Sequence, residues 1–438
     1  MTPSFKGKKV LIMGLGLHGG GVSVAKFFCM QKADVTVTDL KTEEQLAESI
    51  EKLKKYKIKY TLGRHKEADF ISTDLIIKNP DVPATSPYLE IARKHNMPIE
   101  TDISLFLKSS EAFIIGITGT KGKSTTSSLI YHLLKLKYKN TFLAGNIGLS
   151  PLELLSKIKK NDKVVLEFSS FGLEDLKQSP NIAVVTNIFP DHLNRYGTME
   201  EYVDSKKIIF KYQTAKDYLI LNEDDVIVRQ FAHETKGNVS YFSLNKKPDK
   251  INTKEFKLSG KNNFSNLLAA IEVVKILGLS DKLIEKGIKI FEGVHSRQEF
   301  IKEVKGVKYF NDTTATIPEA VISAIDSLSE KFHSGQIFLI CGGVYKGVDY
   351  TNMAKKIYER QVGVILLPGS GSDKIKEKLL EYKAIKEVNS MDSAVKKASE
   401  WAKPGDIVIL SPAASSFNLF KNEFDRGEQF VKAVKNLR

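Results

Sequence analysis

Cysteine is almost absent: Cys29 and Cys341 are the only two in 438 residues. So wide a spacing excludes a disulfide framework and a cysteine-built metal site, and it predicts a reducing, cytoplasmic setting. Long apolar runs are missing as well, and none approaches the roughly 20 residues of a membrane-spanning helix. The first apolar run, residues 10–17, is broken by Gly14 and Gly16 and runs into Gly19-Gly20-Gly21. It predicts a strand and turn, not a secretory leader. Acid is the minority charge, with 52 Asp and Glu against 66 Lys and Arg and a net charge of +14. A concentrated basic tract is nevertheless lacking, because lysines share helical stretches with glutamates, as over 48–59. Solvated lysine-rich faces account for the charge as well as a nucleic-acid surface does. Either way the positive field favours anionic substrates.

What is present begins with length. At about 150 residues per domain, 438 residues predict three domains, and 42% hydrophobic residues supply their cores. Residues 113–117 (Phe-Ile-Ile-Gly-Ile) predict a buried strand, and 124–134 predict a helix with Leu129, Ile130, Leu133 and Leu134 on one face. Between them lie Gly119, Thr120, Lys121, Gly122, Lys123, Ser124 and Thr125. Strand, glycine turn and helix is the layout that cradles a polyphosphate: backbone N–H groups and the helix N-terminus converge on its oxygens. Lys123 would reach the β- and γ-phosphates of ATP, and the Ser124 hydroxyl would ligate Mg²⁺. Ile117 stands where the general phosphate loop has its first glycine. A glycine-rich turn without a nucleotide is the plainer alternative.

Upstream, a strand over 8–13 leads into Gly14-Leu15-Gly16-Leu17-His18-Gly19, which matches G-x-G-x-x-G. A periodic helix (Val22, Ala25, Phe28) and a strand ending at Asp39 follow. An acid about 20 residues beyond the glycines is where a dinucleotide-binding unit holds ribose. Two features count against NAD: the unit ends before the next nucleotide loop begins, and hydride transfer has no use for that second loop.

The stretch 118–125, Thr-Gly-Thr-Lys-Gly-Lys-Ser-Thr, resembles the phosphate loop of the Mur ligases and of folylpolyglutamate synthetase. Both families join a carboxylate to an amino-acid amine at the expense of ATP. Further segments resemble the Mur ligases. Asn79-Pro80-Asp81-Val82 is similar to their Ser/Asn-Pro-Gly-Val/Ile turn, with Asp81 for Gly. Gly145-Asn146-Ile147-Gly148 resembles a segment touching the uridine substrate. Glu167-Phe168-Ser169-Ser170-Phe171 matches their Glu-x-Ser-Ser-Phe-Gln except for Gly172. Asp191-His192-Leu193-Asn194-Arg195-Tyr196 matches the Asp-His-x-x-x-Tyr pattern. An acid at the end of a central strand beside a phosphate loop suits a Mg²⁺ ligand, although Glu167 read alone is equally a rim carboxylate paired to a lysine. The resemblance implies that Ser124 and Glu167 hold one Mg²⁺, and that His192 and a carbamylated Lys206 hold a second. It also places Asn263 and Asn266 near adenine and ribose, and Arg297 at the junction with the last domain, where a guanidinium binds phosphate or stacks on adenine.

In the last third, strands and helices alternate, with strands over 307–310, 336–341, 363–367 and 407–410, predicting a second small parallel α/β layer. Asn311-Asp312-Thr313-Thr314-Ala315-Thr316, Gly342-Gly343-x-x-Lys346 and Ser411-Pro412-Ala413-Ala414-Ser415-Ser416 resemble three loops of the glutamate-adding Mur ligases. They imply Asp312 for the ATP ribose, and Thr316, Lys346 and Ser416 for substrate. Thr314 stands where that branch has Lys, and Glu423 where it has Phe.

The expected architecture is α/β in three domains: a Rossmann-like UDP-substrate domain (1–110), a central P-loop-type ATPase sheet (111–295) and a C-terminal Rossmann-like amino-acid domain (296–438). Leu15, Gly16, Asp39 and Asn146 are the expected contacts to the UDP substrate. The resemblance implies glutamate addition to UDP-N-acetylmuramoyl-L-alanine through an acyl phosphate, with ATP and two Mg²⁺ ions. Lys123, His192 and Lys206 would do the chemistry in a monomer with no nucleic-acid or membrane partner. L-glutamate or another amino acid, and a folylpolyglutamate-synthetase-like ligase, remain alternatives within this chemistry. A dinucleotide oxidoreductase leaves Lys123 and Ser124 without a role. A nucleic-acid-binding ATPase lacks a Walker-B-type acid pair.

Overall fold

A computed structural model describes the chain except residues 1–3, 17, 18, 148, 149, 247, 259, 334, 346, 417, 418 and 438. Three sheets form in chain order. The first holds β1 (Lys9–Met13), β2 (Asp34–Asp39), β3 (Ile58–Leu62), β4 (Leu75–Lys78) and β5 (Ile99–Glu100), in the order β3-β2-β1-β4-β5 and parallel throughout. The second holds β6 (Phe113–Thr118), β7 (Thr141–Gly145), β8 (Lys163–Glu167), β9 (Ile182–Val185), β10 (Tyr218–Asn222) and β11 (Asn238–Phe242). Its order is β11-β10-β9-β6-β8-β7, again parallel.

The third sheet contains β12 (Glu299–Val304), β13 (Val307–Asn311), β14 (Ile337–Cys341), β15 (Gly363–Leu366), β16 (Ile385–Glu387) and β17 (Ile407–Leu410), in the order β12-β13-β17-β14-β15-β16. The four strands expected from the sequence, β13, β14, β15 and β17, pair in parallel; β12, which was not anticipated, adds an antiparallel edge beside β13. Only a two-residue connection joins them, enough for a hairpin and far too short for a parallel crossover.

The chain forms two compact units, Met1–Glu255 with Asn262–Lys289, and Phe256–Lys261 with Ile290–Arg438. The first two sheets belong to the first unit and the third sheet to the second. β6 shows why these residues fold as they do. Ile115 and Ile117 are fully buried between β8 and β9, and the helix Lys123–Lys135 covers the sheet with fully buried Leu129, Ile130, Leu133 and Leu134. Truncating any one of these to Ala would cost about 2–5 kcal/mol. Among the described residues no helix is long and apolar enough to cross a membrane.

Candidate active site

The phosphate loop is built by β6, which delivers the chain at Thr118, and by the helix that starts at Lys123. Its two glycines are required by position. Gly119 (φ 143°) and Gly122 (φ 84°) occupy left-handed backbone, and a Cβ on them would lie 2.0 Å from Thr186 Oγ1 and 2.2 Å from Asn266 Oδ1 respectively. The chain after β9 holds the loop from outside. Asn187 accepts from Thr120 N–H through its carbonyl and from Lys121 N–H through Oδ1, both at 2.8 Å, and Thr186 Oγ1 donates to the Lys121 carbonyl at 2.7 Å. The Lys123 ammonium folds over the loop, donating to the carbonyls of Gly119 and Thr120 at 3.0 and 2.9 Å. Ser124 is buried at the helix start.

Beside the loop stand the candidate metal donors. Glu167 closes β8, fully buried; its Oε1 accepts from Asn146 Nδ2 at 3.0 Å, while Oε2 is buried with no hydrogen-bond partner. An orphaned buried carboxylate oxygen is costly unless a cation completes it. Lys206, on the helix Met199–Lys211, is 2% exposed and donates to the Gly119 carbonyl at 3.1 Å. Burial, and next the neighbouring Lys123 charge, push its pKa down to about 7, with Asp191 and Glu167 opposing. His192 has a left-handed φ of 54°, a backbone state that costs a non-glycine residue of order 1 kcal/mol. Its ring lies 4.9 Å from Phe171. Burial lowers its pKa, Asp191 opposes, and Lys206, Lys123 and Lys121 add to the lowering, so a neutral imidazole is favoured. Ser124, Glu167 and His192 thus fit Mg²⁺ as oxygen donors and a neutral nitrogen donor. Among the described residues no group of three or more His, Cys, Asp or Glu side chains converges. The donor set is therefore short of carboxylate.

In the first sheet, strand order reverses between β1 and β4, and the crevice at their C-terminal ends is where open α/β sheets take ligands. Leu15 and Gly16 lie there, but their N–H groups donate to Asp39 Oδ2 at 2.8 and 3.1 Å, and Lys41 N–H donates to Oδ1 at 2.9 Å. Asp39 therefore braces the glycine loop.

In the second unit, the loops after β13 and β17 meet. Asp312 Oδ1 accepts from Gln298 N–H at 3.1 Å and Oδ2 from the Ser411 hydroxyl at 2.8 Å; burial drives its pKa up to about 7. Arg297 is exposed between Ser296 and Gln298, whose φ values are 64° and 42°. Ser416 Oγ is buried without a hydrogen-bond partner, as a group awaiting a polar ligand would be. Thr316 is half-buried beyond Ala315. Lys346 lies outside the described residues.

Three family profiles tile this chain: "Mur ligase MurD-like, N-terminal domain" over 8–101, "Mur ligase middle domain" over 117–274 and "Mur ligase, glutamate ligase domain" over 296–414. A UDP-N-acetylmuramoylalanine–D-glutamate ligase from Roseiflexus sp. (strain RS-1) is 37% identical, with 98% of this chain and 99% of the relative aligned. The chain belongs to the Mur ligase family. A ligase of the same description from Borreliella burgdorferi (strain ZS7) is 38% identical across 100% of both chains. Among solved structures, UDP-N-acetylmuramate–alanine ligase from Thermotoga maritima superposes with a TM-score of 0.62 over 98% of this chain and 99% of that one. Its 20% identity speaks to the fold alone.

As a Mur ligase the protein is an ATP-dependent amide ligase, and its departures from the family pattern have local accounts. Gly172 sits in the helix Ser170–Leu173, its N–H capped by Ser169 Oγ at 3.0 Å; a Cβ there would meet Ile103 at 3.3 Å. Thr314 uses its hydroxyl on the Ser296 carbonyl at 3.0 Å. Asn266 backs the phosphate loop at Gly122, and Asn263 opens the same helix, Lys261–Ile276. Sequence reasoning passed over Arg426, which is fully buried on the helix Glu423–Lys435. Its guanidinium donates to Thr313 Oγ1, the Thr313 carbonyl and the Ala414 carbonyl at 3.1, 2.9 and 3.0 Å, and burial lowers its pKa to about 10. It ties together two loops of the second unit's candidate site. A lone Arg in a lysine-rich tail carries no sequence signal of such burial.

Proposed function

We propose that this Mur ligase joins D-glutamate to UDP-N-acetylmuramoyl-L-alanine, activating the substrate carboxylate as an acyl phosphate with ATP, in peptidoglycan synthesis. The observation that carries the proposal is the convergence of a phosphate loop, the orphaned Glu167 oxygen and the buried Lys206, in a chain alike over its whole length to ligases of that description. Lys123, with the loop amides of residues 119–125, holds the polyphosphate, and the helix N-terminus adds partial positive charge. Mg²⁺, when bound, neutralises the charge that gathers between two anions. Ser124 and Glu167 hold one ion, and His192 with a carbamate on Lys206 holds the other. A neutral amine is what adds CO₂, and a pKa of about 7 makes that form available. Leu15, Gly16 and Asn146 lie along the UDP substrate, with Asp39 fixing the first two. Free thiols at Cys29 and Cys341 are compatible with a reducing cytoplasm.

Two departures from the family pattern bear on a second reading, L-glutamate. Thr314 brings a hydroxyl where the D-glutamate branch has a cation, and Phe424 follows Glu423 one place late, 45% exposed. Specificity is a difference of affinities that a few contacts can invert. Phosphate release with ATP and UDP-N-acetylmuramoyl-L-alanine decides: fast release with D-glutamate and slow release with L-glutamate is expected, and the reverse ranking would overturn the stereochemical assignment.

A further inference from the structure

The turn 79–82 after β4 borders the crevice at the β1/β4 switch point. Asn79 ties it to the glycine loop, Nδ2 donating to the Gly14 carbonyl at 3.3 Å. Its next three carbonyls all accept from cations. Arg195 Nη2 donates to Pro80 O at 3.2 Å and Nη1 to Asp81 O at 3.1 Å, and Lys78 Nζ donates to Val82 O at 3.2 Å. Each cation has its own carboxylate, from two consecutive residues of the middle domain. Glu174 Oε2 holds Arg195 at 2.9 Å, and Asp175 Oδ2 holds Lys78 at 2.6 Å. Lys78 is fully buried and the Arg195–Glu174 pair largely so. Taking charges out of water is costly unless geometry and hydrogen bonds return it. Two such pairs on one four-residue turn are more than packing that turn requires.

The same residues reach the ATP side. The Arg195 guanidinium lies 4.0 Å over the Phe171 ring, which also neighbours His192 at 4.9 Å and Tyr196 at 5.9 Å. Glu174 Oε1 accepts from Tyr196 OH at 2.9 Å; Tyr196 packs 5.5 Å from Tyr202, and Tyr202 OH pairs with Thr120 Oγ1 of the phosphate loop at 3.0 Å. One packed, hydrogen-bonded network thus runs from the substrate crevice to the nucleotide loop.

We propose that Arg195 with Glu174, and Lys78 with Asp175, form a clamp that holds the 79–82 turn in register with the phosphate loop, so that the bound substrate's carboxylate meets the phosphate it attacks. Arg195 is in this sense a positioning residue, and the inference rests on the ligase reading above. It predicts a loss in turnover, not in binding, because a displacement near 1 Å at the reacting centre costs on the order of 100-fold in rate.

Arg195→Met keeps the stem over Phe171 and removes the donors. Its kcat should fall at least about 30-fold, with the KM for ATP and the direct affinity for UDP-N-acetylmuramoyl-L-alanine both held within about threefold. Arg195→Lys, which restores one cation, should recover part of the loss and serves where the Met variant folds poorly. Hydrogen exchange over residues 79–89 should quicken in either variant while β1 and β2 stay protected. Unchanged kcat, a loss confined to substrate KM, or unchanged exchange at the turn would each overturn the clamp. Wild-type protein that forms no amide would overturn the ligase reading instead, with the exchange measurement still deciding the clamp.

Discussion

Lys206 and Lys207 are neighbours on one helix and opposite in character. Lys207 pairs with Asp204 at 3.3 Å and Glu234 at 2.9 Å, which raise its pKa and keep it a cation despite partial burial. Lys206 faces inward with no carboxylate in ion-pair contact among the described residues; it meets the Thr118 hydroxyl, the Gly119 carbonyl and the face of the Tyr202 ring. The resemblance picks out the first lysine of the pair; burial supplies the physical reason, which sequence could not show because both residues fit the helical pattern equally. Lys206→Ala should lose nearly all turnover and regain part of it with added formate or acetate, whereas Lys207→Ala should stay active. Equal activity in Lys206→Ala, or rescue of Lys207→Ala instead, would remove the carbamate. The pH dependence has a definite sign. Because the folded pKa is about 7, the neutral amine grows as pH rises from 6 to 8, so at fixed dissolved CO₂ turnover should rise over that interval.

Elements were legible where a continuous apolar run meets a glycine or polar turn, as at β6, β8 and β9. Edge elements were not: β12 reads Glu-Phe-Ile-Lys-Glu-Val, an alternating half-buried pattern easily taken for linker, and β16 is three residues long. The clamp on the 79–82 turn was equally hidden, since Glu174, Asp175 and Arg195 look in sequence like any solvated charges. Between elements, Asp312 joins the ends of β13 and β17 through Ser411, and the segment before β12 through Gln298. Its carboxyl is raised from 3.8 to about 7 by burial. Between those two values the folded state holds a proton that the unfolded chain has released, so this group's contribution to stability falls as pH rises through that window. Asp312→Asn keeps an acceptor for Gln298 N–H and offers Ser411 a donor. The thermal midpoint of the variant, relative to wild type, should therefore climb between pH 4 and pH 7. A pH-independent difference would show that Asp312 is ionised throughout.

At the scale of the whole molecule, all three sheets put their candidate chemistry at strand C-termini: the glycine loop and the 79–82 turn on the first, the phosphate loop and Glu167 on the second, Asp312 and the 411–416 loop on the third. That placement follows from parallel topology, which gathers successive strand ends on one edge. It was legible in outline because each motif follows an apolar run. If ATP activates the substrate's carboxylate, that carboxylate's own oxygens carry the record of it. UDP-N-acetylmuramoyl-L-alanine carrying heavy oxygen in its terminal carboxylate should be incubated with ATP, Mg²⁺ and D-glutamate, and the released phosphate analysed by mass. An acyl-phosphate route transfers one labelled oxygen to each phosphate released during amide formation. Unlabelled phosphate would mean that ATP is cleaved without activating the carboxylate, and would contradict the mechanism.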